Sequence, residues 1–105
     1  MQLGNARITS KVSIAPHVSF HDLDGEAVML NLESGKYYGL DQVGTRMWNL
    51  IVEHDALAPV LQALLEEYDV TEERLQGDLL KLVNDLTAHG LVTIENDADP
   101  ANPAA

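Results

Sequence analysis

The stretch V28-M-L-N-L-E-S-G-K-Y-Y-G-L-D41 decides how this chain is read. Val28, Leu30 and Leu32 recur at period two, which is strand spacing, and place three large apolar side chains on one face. Glu33-Ser-Gly-Lys36 is a turn, and Lys36 to Leu40 resume as a second strand carrying two adjacent tyrosines. Alternation sends Tyr37 and Tyr38 to opposite faces; Tyr38 and Leu40 are expected on the apolar side and Tyr37 on the other.

Working outward, Asp24-Gly25 is a strong hairpin signal, so residues 17–23 (HVSFHDL) are expected to pair with 27–32. With short connections throughout, three strands make an antiparallel meander. Residues 8–14 alternate loosely and are expected to be extended before Pro16 interrupts them. After Asp41 the period changes to that of helices. Asp41 is placed to cap a first helix bearing Val43, Met47, Trp48, Leu50 and Ile51, with Trp48 a core anchor. Pro59 belongs in the first turn of a second helix, which therefore begins no earlier than about residue 56 and runs to about Tyr68. Thr71 caps a third, with Glu72 and Glu73 favourable at its positive end and Leu75, Leu79, Leu82, Val83 and Leu86 as its apolar stripe. Gly90 ends it, and residues 91–94 can extend briefly. Strands followed by helices make an α+β domain. The expected division is an N-terminal extension over 1–16, a domain over 17–94, and a disordered acidic tail over 95–105.

Composition narrows the function. A chain of 105 residues with 46% hydrophobic content supports one modest core. It has no cysteine, which removes disulfides and thiol chemistry together. The net charge of −11 is uneven: residues 1–40 carry three basic and four acidic side chains, residues 41–105 three and thirteen. Such a surface repels phosphate backbones and anionic lipid, so neither nucleic acid nor membrane is expected as a partner. No apolar run approaches a membrane span and the first residues do not read as a signal peptide, which makes the cytoplasm the expected location.

Candidate chemistry is sparse. His17 and His21 have the spacing of a helical metal pair, but on a strand four residues span roughly 13 Å, too far for one ion. His54 and His89 sit at helix ends, where a polar or cationic tip is ordinary. Glu66/Glu67 and Glu72/Glu73 are adjacent on helices, about 100° apart, and cannot act as acid–base pairs. No phosphate-binding glycine loop is present. Neither an enzyme nor a cofactor is expected.

What remains is an edge. The third strand of a meander leaves its outer amide and carbonyl groups unpaired, and Lys36 to Leu40 carry little of the charge or proline that protects such edges. A peptide strand could add there. Gly77, inside the third helix, costs about 1 kcal/mol relative to alanine; it could admit another backbone or, equally, be a tolerated exposed glycine.

Taken together, "GEAVMLNLESGKYYGLDQVGTRMWNLI", "LLEEYDV" and "DLLKLVNDLTAHGLV" resemble the PqqD-like proteins, also called RiPP recognition elements. The resemblance covers roughly residues 17–94; Asp41 stands where asparagine is common and Ala56 where serine or threonine usually caps. It implies a winged-helix-like domain that binds the leader segment of a ribosomally made precursor peptide, with the leader added as a strand to the third strand and lying against the third helix. By position, the contacts would come from Lys36, Tyr37, Tyr38, Gly39 and Leu40 on the strand. On the helix they would come from Leu75, Asp78, Leu79, Leu82 and Val83. The implied partners are the precursor and a maturation enzyme, either a leader peptidase and cyclase or a radical-SAM enzyme. The hairpin is more like that of a lasso-peptide pathway member than of the one dedicated to pyrroloquinoline quinone. A monomer or weak homodimer is expected.

Two other readings share the shape. A winged helix can read DNA with its third helix, but residues 71–90 hold four acidic and two basic side chains, the wrong sign for that task. A structural module dimerising through the same edge would form a dimer that a leader does not disrupt.

Overall fold

Asp24 and Gly25 both have positive φ, the backbone of a two-residue hairpin turn, and the Asp22 carboxylate accepts the Gly25 amide at 2.7 Å. This turn joins β2 (Val18–Leu23) to β3 (Glu26–Asn31) in the computed structural model, which describes residues 6–95. A longer turn joins β3 to β4 (Tyr37–Gly39) and is organised by Asn31. The Asn31 side-chain oxygen accepts the Glu33 and Ser34 amides, and Gly35 supplies a positive φ. The sheet order is β2-β3-β4, all antiparallel, as the meander reading requires.

Three helices follow: α1 (Gln42–His54), α2 (Leu57–Glu67) and α3 (Glu72–Ala88). Asp41 caps α1 by accepting the Gly44 amide at 2.7 Å, and Thr71 caps α3 by accepting the Arg74 amide at 3.2 Å. Ala56 gives α2 no side-chain cap, and Pro59 lies in its first turn. Gly90, at positive φ, closes α3 and also receives a hydrogen bond at its carbonyl from the Asn31 side chain, tying the β3–β4 turn to the helix end.

The chain's ends meet in a second sheet. β1 (Lys11–Ile14) pairs antiparallel with β5 (Val92–Glu95), burying Val12 and Val92. Both segments were expected to be extended; their pairing was not foreseen. The Ala6 amide donates to the Asn84 side chain on α3 at 2.8 Å, a further link from the N-terminal segment to the body. Residues 96–105, most of the segment expected as a disordered tail, lie outside the described residues.

One expectation is reversed. β3 alternates as read, but Ala27 and Met29 face the core, while Val28 and Leu30 face outward and Leu32 is 62% exposed. The reason is the company the inner face keeps. Phe20, Met29 and Tyr38 line up across the three strands, and Phe20 stacks on Trp48 with ring centroids 5.8 Å apart. The small side chain of Ala27 lets α1 approach closely enough for Thr45 to accept the Ala27 amide at 3.0 Å. Counting large apolar residues picked the wrong face because both faces carry them. Trp48 is buried, as expected of an anchor, whereas Val43, counted in the α1 stripe, is partly exposed.

Candidate functional site

β4 is an edge strand: its inner side pairs with β3 and no described strand lies on its outer side. The hydrogen-bond parity follows from two bonds, Asn31 N–H to Lys36 C=O and Leu40 N–H to Ala27 C=O. In an antiparallel ladder, paired residues alternate between bonded inward and directed outward. Lys36, Tyr38 and Leu40 therefore bond to β3. The amides and carbonyls of Tyr37 and Gly39 point to the open edge.

The side chains divide by the same alternation. Tyr38 packs against the core and Leu40 is buried, while Tyr37 is 73% exposed, so the inward and outward tyrosines are as expected. Their grouping is the reverse of the expected one: Tyr37, opposite Leu30, shares the face of Val28, Leu30 and Leu32, and Tyr38 lies opposite Met29. Lys36 is exposed in the turn. Beside β4 runs a groove of about 520 Å³ whose walls are β4, the start of α1 and one face of α3. Tyr38, Gly39, Leu40, Asp78 and Leu82 line it.

Leu75, Leu79 and Val83 do not line the groove; they are buried in the core. Successive helical residues turn by about 100°, so Asp78, Leu82 and Asp85 present the face next to the one carrying Leu79, Val83 and Leu86. Two stripes thus lie side by side on α3, one for the core and one for the groove. Lys81 and Asp85 complete the groove stripe, and Val43, Gly44 and Met47 contribute from α1. None of these five was singled out for the site from sequence. The signal was there in the i, i+4, i+7 spacing of Asp78, Leu82 and Asp85, and in an exposed valine at the first turn of a helix.

The groove's polar groups are mostly carboxylates: Asp41, Asp78 and Asp85 against Lys81. Lys81 pairs with Asp85 at 3.5 Å and Arg74 with Asp78 at 3.9 Å, both exposed i, i+4 pairs of small energetic weight. The Tyr38 hydroxyl donates to Asp85 at 3.4 Å, and its ring meets that of His89 edge-on at 4.8 Å. Burial, followed by the nearby Asp85 charge and its hydrogen bond, pushes the Tyr38 phenol above its ordinary value of 10.0. The site thus offers a strand edge, an apolar floor and acidic walls. No nucleophile–base pair lies among its lining residues, and no cluster of three or more potential metal ligands occurs among the described residues. His17 is held in a turn at positive φ, and His21 takes part in a hydrogen bond with Ser19 at 2.7 Å.

No described helix is long and apolar enough to cross a membrane.

Comparison with known proteins places this geometry. A model of the family described as coenzyme PQQ synthesis protein D (PqqD) matches residues 26–92, which span β3 to the start of β5. No curated protein sequence matches. Two solved structures are similar. TbiB1 in complex with the TbiA(beta) leader peptide is 33% identical, with a TM-score of 0.73 over 83% of this chain and 99% of that one. Lasso peptide synthetase B1 complexed with the leader peptide is 25% identical, also with a TM-score of 0.73, over 79% of this chain and 98% of that one.

Proposed function

The chain belongs to the PqqD family, and from that premise we propose that it binds the leader segment of a ribosomally synthesised precursor peptide and presents it to a maturation enzyme. It performs no chemistry itself. The leader adds as a strand beside β4, completing the bonds of Tyr37 and Gly39, and lays alternate side chains into the groove against α3. The observation that carries this reading is the conjunction of an open strand edge with a groove lined by that strand and α3. Support comes from the two similar structures, both of proteins bound to a leader peptide. The description of the second favours a lasso-peptide pathway, in which the partner would be a leader peptidase and cyclase, acting in the cytoplasm.

The groove's charge fits a peptide that is neutral or basic where it passes Asp41, Asp78 and Asp85. DNA reading is not favoured: α3 carries Glu72, Glu73, Asp78 and Asp85 against Arg74 and Lys81, and phosphates would meet net negative charge. The test is a fluorescence-anisotropy titration of the labelled leader of the precursor whose maturation requires this chain. Saturable one-to-one binding is expected, uncompeted by duplex DNA. Absence of saturable binding to a folded chain would overturn the proposal.

A further inference from the structure

The outer face of the three-stranded sheet carries an apolar stripe that no described segment covers. Its alternating positions are Val28 and Leu30 on β3 with Leu32 just beyond, Tyr37 on β4, and Leu23 on β2. His21 and Ser19 flank the stripe on β2, and Glu26 faces the same way at the start of β3. Leu23, Leu32 and Tyr37 are 61%, 62% and 73% exposed. The fold does not use this face, since Ala27, Met29, Phe20 and Tyr38 turn the other side of the sheet to the core. A contiguous exposed patch of this kind, rimmed by charge, marks an interaction surface.

Two observations say what covers it. First, β4 is the wall between this face and the peptide groove. A shallow hollow runs from Leu23 and Val28 over to Gly39, Leu40 and Asp41, and the last three also line the groove. A protein seated on the outer face would touch the strand that holds the leader without occupying the leader's place. Second, the stripe is bounded at its two turn ends by Asp24 and Glu26 and by Glu33, and along β2 by the hydrogen-bonded Ser19 and His21, with Lys36 the one lysine or arginine of residues 17–40. A second copy of this chain would oppose acid to acid, adding to a net charge of −11 on each molecule.

We propose that this face docks the enzyme that processes the leader-bound precursor, through an apolar patch on that enzyme ringed by lysine and arginine. The inference rests on the leader-binding reading above and adds to it the surface by which the cargo is passed on. Complementary rims of this kind set encounter rate and register, while the apolar centre holds the complex.

The test uses the full chain, the labelled leader, and the purified enzyme that matures the same precursor. In the double variant Leu23→Ser/Leu32→Ser both changes fall on exposed side chains, so folding is retained, as circular dichroism would verify. The expected result is a loss of enzyme affinity of at least about tenfold with leader affinity within about twofold of the unaltered chain. Glu26→Lys is expected to weaken the enzyme complex as well and to flatten its salt dependence. Unchanged enzyme affinity in the double variant would overturn the proposal, as would an unaltered chain that binds no enzyme. A homodimer dispersed by the same variant would also overturn it, by assigning the face to a second copy. Leader binding by the unaltered chain, read in the same titrations, reports separately on the groove: its failure would strike the leader reading while the enzyme-affinity comparison still decides the docking face.

Discussion

Gly39 is where backbone parity becomes function. Its amide points to the open edge, and a side chain built on it would meet nothing within 4 Å. Gly39→Pro therefore removes an edge donor and puts a ring in the path of an added strand, while every β3–β4 bond survives. Leader affinity is expected to fall at least about tenfold, or about 1.4 kcal/mol, with the unfolding midpoint nearly unchanged. Anisotropy and urea titrations check the two halves. On α3 the neighbouring stripes predict opposite outcomes. Leu82→Asp, in the groove wall, should weaken leader binding in a folded protein. Leu79→Ala, in the core, should cost about 2–5 kcal/mol of stability. Tyr38 adds a pH dependence. Because its phenol is raised in the folded chain, the stability it contributes is fully present below its ordinary value of 10.0 and is lost as pH climbs through the folded value. In urea unfolding from about pH 9 to 11, Tyr38→Phe should remove that part of the alkaline decline.

At the scale of elements, the sequence was most legible where a local rule acts alone. Asp41 and Thr71 cap because their side-chain oxygens reach the amides three residues on, and Pro59 limits α2 by its missing donor. Asp41→Ala should accordingly cost about 1 kcal/mol in urea unfolding. The division of Tyr37 from Tyr38 followed from strand alternation. Legibility failed where two solutions were equally apolar. Val28 and Leu30 outweigh Ala27 and Met29 in hydrophobicity, yet only the smaller pair lets α1 and Trp48 close on the sheet. It failed again on α3, where Leu82 belongs to the groove and Val83 to the core, and one broad stripe concealed two. Neither distinction is local: both depend on which element arrives from elsewhere in the chain.

At the scale of the molecule, the least visible feature was the β1–β5 pair, whose partners stand some eighty residues apart and carry no turn to announce them. That sheet and the Ala6–Asn84 bond fasten the N-terminal segment to the end of α3, the helix that walls the groove. Removing residues 1–14 should therefore lower the melting temperature by about 8 °C or more, since each kcal/mol shifts a domain of this size by about 4–8 °C. Differential scanning fluorimetry with and without leader would show it. The described residues form a helical body, an open strand at its rim, and a groove beside that strand.

The most direct test of that account is residue-resolved amide exchange by NMR, with and without saturating leader. Tyr37 and Gly39 should exchange fast in the free chain and become protected in the complex, while Tyr38, already bonded to β3, changes little. The free edge of β2, at Val18, Phe20 and Asp22, should stay as it was. Protection gained at β2, or none gained at Tyr37 and Gly39 with leader bound, would contradict strand addition to β4.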